Sequence, residues 1–120
     1  MNIEEVRDYC AAKKGFSEGL PFNEEVLVFK VLNKIFLFLR LGSSPLVVSL
    51  KMDAELVPQF REKYVEVQPG YHLNKKMWNS VNFETGSINR KELLWMLDHS
   101  YEQVVKGMPK KLQQQLNDLP

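Results

Sequence analysis

The chain has 120 residues, enough for one domain with its own core but too few for two. Hydrophobic residues make up 44% of the chain and charged residues 26%, so collagen-like, disordered and membrane classes are poor fits. The 16 basic and 15 acidic residues leave a net charge of +1, which excludes a global attraction to nucleic acid; any such binding must come from a local patch.

The chain carries no sign of export or membrane insertion. Its longest apolar runs, such as Ile35–Leu39, reach only strand length, far below the roughly 18 residues of a spanning helix. The N-terminus, "MNIEEVRDYC", is acidic where a signal peptide would be basic. The single cysteine, Cys10, cannot form an internal disulfide. We therefore expect a cytoplasmic protein in a reducing compartment, without membrane contact.

The first predicted element is a helix that begins after Asn2. Asn2 and Glu5 have the spacing of a capping box, in which each side chain binds the other residue's backbone N–H. Gly15 is a suitable terminator. One helical face is apolar and consists of Ile3, Val6 and Cys10. We expect Cys10 to serve as a small buried hydrophobe.

A meander of antiparallel strands is predicted next, because residues 16–50 are rich in β-branched and aromatic residues and are interrupted by turn signals. Leu32 and Asn33 would form a tight hairpin turn. Both parities of the two central strands are apolar, so these strands should be covered at least in part on both faces, or one face should serve a partner. The predicted strands are Phe16–Gly19, Val26–Val31, Ile35–Arg40 and Leu46–Leu50.

A helix and a strand are predicted after the meander. The helix has Asp53 as its N-cap and runs to about Tyr64. Pro58 lacks an N–H, so we expect an irregular first turn and a regular helix only from Pro58 onward. Residues 77–84 follow the turn signal Pro69–Gly70 and alternate as a strand does. One parity of that strand holds Met77, Asn79, Val81 and Phe83, and the other holds Trp78, Ser80, Asn82 and Glu84.

The last long helix has the clearest signals. Asn89 is its N-cap, Ile88 and Leu93 form a hydrophobic staple, and Gly107 is the terminator. Its predicted buried stripe is Leu93, Leu94, Leu97, Tyr101 and Val104. A short helix starting at Pro109 would turn three residues inward: Leu112, Leu116 and Leu119.

The order of elements predicts the fold class. Grouped strands, short connections and flanking helices, in the order α-β-β-β-α-β-α, indicate an α+β two-layer sandwich. In this arrangement the helices pack on one face of an antiparallel sheet. We expect residues 1–120 to form a single domain.

The sequence holds neither a catalytic nor a metal-binding constellation. The histidines His72 and His99 and the lone Cys10 lack the close spacing of local zinc motifs. The six glycines stand singly at turns, which excludes a P-loop or a Rossmann fingerprint. The paired carboxylates Glu4–Glu5 and Glu24–Glu25 are adjacent and point apart, which favours solvated faces over a cooperating acid and base. We predict no enzyme activity, no cofactor and no metal.

Two other residues of the last helix have ordinary structural interpretations. Trp95 lies in the apolar run of residues 93–97, which is wider than one buried stripe requires. We expect Trp95 to be partly buried under the C-terminal segment rather than to line a ligand pocket. His99 stands beside Asp98, whose carboxylate would tune it, and is expected to be a surface histidine.

Four segments, taken in order and spacing, resemble the MmcQ/YjbR family of small bacterial proteins: "LPFNEE…VFKVLNKIFLFL", "LKMD", "VQPGYHLNKKMWNSV" and "ELLWMLDHSYEQVVKGMPKK". One departure is Asn23, where family members commonly carry a glycine. The resemblance implies a fold similar to frataxin-like and secretion-chaperone-like domains, and DNA binding through a double-wing arrangement. The positions matching the implied site are His72, Asn74, Lys75, Lys76, Trp78 and Asn79.

Three interpretations of the segment Tyr71–Asn79 remain open. In the first, its lysines neutralise phosphates while its amide, imidazole and indole groups contact bases, and Lys34, Lys51 and Arg61 add positive charge. In the second, the protein is a protein-interaction or chaperone-like domain with no nucleic-acid role. In the third, the segment is a structural turn in which Trp78 anchors the strand. The partner is then DNA, another protein, or none.

Overall fold

Four helices and six strands make up the part of the chain that this computed structural model describes, residues 1–70 and 73–120. The helices are α1 (Ile3–Ala11), α2 (Leu56–Lys63), α3 (Arg90–Lys106) and α4 (Lys110–Asn117). The strands are β1 (Phe16–Gly19), β2 (Val26–Val31), β3 (Lys34–Arg40), β4 (Val47–Lys51), β5 (Val67–Pro69) and β6 (Trp78–Asn82).

The strands form one antiparallel sheet in the order β1-β2-β3-β4-β6-β5. The predicted β2–β3 hairpin is confirmed, since Leu32 and Asn33 take positive φ values of 45° and 68°, as a tight two-residue hairpin turn requires. The helices pack on one face of the sheet, with α3 against the central strands. The predicted α+β two-layer class is therefore confirmed, although the predicted order of elements lacks one strand of the meander, the short edge strand β5 and the short helix α4.

The core lies between the sheet and the helices. Strand alternation turns one set of side chains toward the helices: Leu27, Phe29, Leu37, Leu39, Val48, Leu50 and Val81. The capping box at Asn2 is confirmed and sets the start of α1. Cys10 on α1 is fully buried, and burial raises the pKa of its thiol to about 12. Cys10 is thus the buried hydrophobe that the sequence predicts.

The predicted start of α2 is wrong. The helix begins at Leu56, and the Asp53 side chain accepts the N–H of Glu55 at 2.9 Å in the turn before it. The carbonyl of Asp53 accepts the N–H groups of Leu56 and Val57. Pro58 therefore lies in the first helical turn, where an N–H has no acceptor within the helix. The expected irregular first turn is found between Asp53 and Leu56, but the regular helix begins two residues before Pro58.

The predicted buried stripe of α3 is too narrow. Asn89 caps the helix, accepting the N–H of Glu92 at 2.9 Å, but the buried face also includes Met96, His99 and Ser100. The wider face is buried because α3 contacts three strands of the sheet. In α4, Leu116 is buried while Leu119 is exposed, so the inward placement of Leu119 is also wrong.

His99 is buried rather than at the surface. Its Nε2 accepts the N–H of Asp53 at 3.1 Å, and its ring stacks on Trp95 at a centroid distance of 4.6 Å. Trp95 also stacks on Phe60 of α2 at 5.7 Å, so α2, not the C-terminal segment, covers it in part. The neighbouring Asp98 points to α1, where it accepts the Tyr9 hydroxyl at 2.8 Å.

Stability should fall as the pH is lowered through the range just below the ordinary histidine pKa. His99 must stay neutral to accept the Asp53 N–H, and burial lowers its pKa below 6.5, against smaller raising effects of Glu102 and Asp53. Between the lowered pKa and 6.5 the unfolded chain binds more protons at this histidine, so the contribution of His99 to the free energy of unfolding rises with pH there and is constant above 6.5. Urea unfolding of the wild type and His99→Gln across this range measures the effect. An identical pH profile in both proteins would contradict it.

Candidate nucleic-acid interface

Residues 73–77 of the predicted segment form a turn before β6. The Asn74 side chain accepts the N–H of Lys76 at 3.0 Å, and the Asn74 carbonyl accepts the N–H groups of Met77 and Trp78. Lys75 and Lys76 are exposed on this turn. His72 lies outside the described residues. Asn74 therefore shapes the turn that presents the two lysines to solvent.

Arg61 of α2 holds the same turn from inside. Its Nε donates to Oδ1 of Asn79 at 2.6 Å, and its Nη2 donates to the carbonyls of Trp78, at 3.2 Å, and Lys75. A guanidinium with three such acceptors is fixed on the turn. The expectation that Arg61 adds to a phosphate-binding patch is therefore not supported, since its geometry serves to position Lys75.

Asn79 is fully buried, so it cannot contact a nucleic acid as the resemblance implies. Its Nδ2 donates to the carbonyl of Val57 at 3.2 Å and to Sδ of Met52 at 3.4 Å, while Oδ1 accepts from Arg61. The strand parity is the cause, because Asn79 and Val81 point toward the helices. Asn79 links β6 to α2 and is not part of the candidate interface.

Trp78 points the other way, toward the face of the sheet opposite the helices, which we call the open face. Its ring packs edge-to-face on Phe38 of β3 at 5.4 Å, and Phe38 stacks on Phe22 at 6.3 Å with the two planes 16° apart. We call these three side chains the aromatic row. The row crosses the sheet from the β1–β2 loop to the start of β6.

The open face is basic. The strand register places Lys30, Arg40 and Lys51 on it, beside Phe38 and Trp78. The other strand residues on this face are apolar or uncharged: Ser17, Gly19, Val26, Val28, Ile35, Val47, Ser49, Gln68, Ser80 and Asn82.

Carboxylates are missing from the strands of this face. Of the strand residues that the structure describes, only Glu18 is acidic, and it points to the helical side, where it pairs with Arg7 at 2.7 Å. Glu25, just before β2, pairs with Arg40 at 2.6 Å. Because the other acidic side chains lie on helices and loops, the strands of the open face carry three basic residues and no acidic one.

Two concave regions lie along the aromatic row. The larger, which we call the open-face groove, has a volume of about 520 Å³ and is lined by Phe22 and Phe38, with Arg40 at its rim. Its floor carries the hydroxyls of Ser49 and Ser80, whose oxygens are 2.9 Å apart.

The smaller region, of about 270 Å³, lies where β3, β4 and β6 meet the α3–α4 turn. Lys34, Lys51 and Trp78 line it, together with Gly107 and Pro109. None of its lining residues within the described chain is acidic. We call it the lysine pocket.

Sequence reasoning missed the groove and its residues. The available signal was the apolar character of both strand parities in β2 and β3, which predicted partial cover or a partner on a second face. The structure shows partial cover, since Val28 is fully buried on the open face while Phe22 is 64% exposed. Which aromatic residues line up across strands depends on register, which the sequence did not reveal.

Residues 1–70 and 73–120 contain neither a membrane-spanning helix nor a metal-binding cluster of side chains. Within those ranges, no helix combines the length and apolar character needed to cross a membrane. The same ranges contain no group of three or more His, Cys, Asp or Glu side chains arranged to hold a metal ion.

The fold and open face define a two-layer α+β protein with a basic, aromatic sheet surface, and comparisons with known proteins give its family. The family model described as YjbR matches residues 11–103. YjbR of Escherichia coli strain K12 is 31% identical over 111 residues, covering 92% of this chain and 93% of that protein. YbdF of Escherichia coli O157:H7 is 32% identical over 96 residues, covering 80% and 78%. The chain therefore belongs to the YjbR family.

Solved structures agree with this assignment. The crystal structure of Deinococcus radiodurans protein DR2400, with domain DUF419, has a TM-score of 0.90 at 34% identity and covers 99% of this chain and 89% of that one. A Pseudomonas syringae crystal structure has a TM-score of 0.74 at 25% identity, covering 87% and 99%. The predicted family and fold class are confirmed.

Proposed function

We propose that this YjbR-family protein is a non-enzymatic DNA-binding module that contacts phosphates with the open face and with the turn carrying Lys75 and Lys76. The observation that supports it is the basic character of the strands on the open face. Three basic residues stand on the strands of the open face, and the one acidic strand residue among those described points to the helices. A protein of net charge +1 can thereby present a local positive surface.

The lysines near Trp78 are available for phosphates. The salt bridges of the described residues use Arg7, Lys13, Arg40 and Arg90. Lys34, Lys51, Lys75 and Lys76 have no carboxylate within salt-bridge distance in that part of the chain. An unpaired lysine releases more binding free energy on meeting a phosphate, because no internal ion pair is broken.

Binding should weaken steeply with salt. If Lys34, Lys51, Lys75 and Lys76 each neutralise one phosphate, log affinity falls with log salt at a slope of about −3.6 for duplex DNA and about −2.8 for a single strand. Replacing Lys75 and Lys76 together by alanine should reduce that slope by about half. Fluorescence anisotropy with a labelled oligonucleotide, titrated at several salt concentrations, measures both values.

A matched control is the double substitution Lys63→Ala and Lys91→Ala, which removes two exposed lysines from α2 and α3. It changes the net charge equally but leaves the open face intact, so slope and affinity should stay near the wild-type values. Absence of binding at low salt, or equal losses in both double variants, would refute the proposed interface.

A protein-interaction role is the second candidate, favoured by the apolar side chains at the groove. Phe22 is 64% and Val47 39% exposed there, and exposed apolar clusters often mark protein interfaces. If no oligonucleotide binds, and light scattering shows a mass that rises with concentration in the wild type but not in Phe22→Ala, this candidate replaces the first.

A further inference from the structure

We propose that the open-face groove holds an unpaired base, so that the protein prefers single-stranded DNA to duplex DNA. The inference rests on the proposed DNA-binding function and adds its substrate class. It follows from the aromatic walls, the hydroxyl floor and the basic rim of one concavity.

The walls of the groove are suited to base stacking. Phe22 and Phe38 lie nearly parallel, 16° apart, and Phe22 is exposed on the loop before β2. A base stacks on such a ring whatever its identity, because every base has a π face. Sheets that bind single-stranded RNA likewise place aromatic side chains on an open face, where Phe38 of β3 and Trp78 of β6 stand here.

The floor of the groove supplies polar contacts for a base edge. In the Ser49–Ser80 pair, at 2.9 Å, one hydroxyl donates to the other. The accepting hydroxyl keeps its own proton, and both oxygens keep lone pairs. A hydroxyl both donates and accepts, so the pair can meet either kind of group on a base edge. An apolar site with a few placed polar groups is typical of small-ligand recognition.

The rim completes the match to a nucleotide. Lys51 stands two residues along β4 from Ser49, on the same face, and has no carboxylate partner in the described chain. Arg40, at the edge of the groove, is paired with Glu25 at 2.6 Å and can exchange that partner for a phosphate. A strand whose base enters the groove carries its phosphates past these cations. The volume of about 520 Å³ lies within the range of ordinary ligand sites.

Duplex DNA does not offer an unpaired base to the open-face groove. Its bases are stacked on one another and expose only their edges in the grooves. To place a base on Phe22, a duplex must first unstack and unpair it, which costs binding free energy. A single strand presents its bases without that cost. Single-stranded and duplex DNA can therefore make the same phosphate contacts, but only single-stranded DNA places a base in the groove.

The test compares three labelled probes by anisotropy at low salt: an oligothymidine of about ten nucleotides, its duplex with the complementary strand, and the same length with abasic sites in place of bases. The wild type should bind the oligothymidine at least about tenfold more tightly than the abasic strand or the duplex. Phe22→Ala should lower oligothymidine affinity by between about fivefold and a hundredfold and leave duplex affinity unchanged.

Val65→Ala is the matched control, because Val65 is apolar, 83% exposed and outside the groove. Its affinities should equal those of the wild type. The abasic probe tests the wild-type protein itself, so the result does not depend on the folding of any variant.

The outcomes separate this inference from the function on which it rests. Equal binding of all three probes, a preference for duplex, or an unaffected Phe22→Ala variant would overturn the single-strand inference while the DNA-binding function stands. Failure of every probe to bind would overturn both.

Discussion

Replacing Asn79 by alanine should lower the free energy of unfolding by about 3 kcal/mol. The buried amide donates to the Val57 carbonyl and accepts from Arg61, so its removal leaves a buried carbonyl and a guanidinium group without those partners. Equilibrium urea unfolding measures the loss, which should appear as a lower midpoint at an unchanged slope.

Asn117→Ala is the control for the loss of an asparagine side chain. Asn117 is exposed at the end of α4, so its replacement should change stability by less than about 0.5 kcal/mol. A loss below about 1 kcal/mol in Asn79→Ala would show that the links among β6, α2 and Arg61 contribute little.

The same variant separates structure from recognition. Asn79 points to the helices, and in Asn79→Ala the guanidinium of Arg61 keeps its bonds to the carbonyls of Lys75 and Trp78. The folded variant should therefore keep its affinity for DNA at temperatures well below its midpoint. The Lys75 and Lys76 double variant should do the reverse, keeping stability and losing affinity, since both lysines are exposed.

Replacing Ser100 by alanine should also lower the free energy of unfolding by about 3 kcal/mol. The Ser100 hydroxyl on α3 donates to the carbonyl of Phe36 and accepts the N–H of Lys51 at 2.9 Å. It thus joins the helix to β3 and β4 at once, and alanine leaves a buried donor and a buried acceptor without that partner. Thermal and urea unfolding measure the total effect.

Hydrogen exchange gives a local readout for Ser100. In Ser100→Ala the backbone amide of Lys51 should lose more protection from hydrogen exchange than the neighbouring amides of β4, because the substitution removes the hydrogen bond that this amide donates to Ser100. Ser17→Ala, on the exposed edge strand β1, serves as the control and should leave both stability and the Lys51 amide unchanged. Unaltered Lys51 protection in Ser100→Ala would contradict the assigned bridge.

Local signals in the sequence predicted the elements whose causes are local. The capping residues Asn2 and Asn89 and the hairpin turn at Leu32 and Asn33 are all found as expected. Each depends on hydrogen bonds or dihedral angles within a few residues, so the residue types at those positions are enough to predict it. The start of α2 was misplaced because the Asp53 side chain caps a turn as readily as a helix.

The candidate site shows the opposite behaviour. The segment Tyr71–Asn79 identified the family, but it could not reveal that Asn79 is buried or that Arg61 holds the turn from beneath. It also could not reveal that Phe38 packs on Trp78 or that Phe22 stacks on Phe38, because Phe22 and Phe38 lie far from this segment in the chain. These contacts join side chains of separate elements, so no short stretch of sequence predicts them.

Periodicity, caps and turn residues act over short distances, so the fold class and most of the elements could be predicted from the sequence, and the family followed from the resemblance of four segments. Only the tertiary structure decided which strand faces meet the helices and which side chains stand together on the open face. The physical reason is register, since a shift of one residue in strand pairing exchanges the two faces. Neighbouring residues such as Trp78 and Asn79 therefore acquired opposite roles, one at the candidate interface and one in the core.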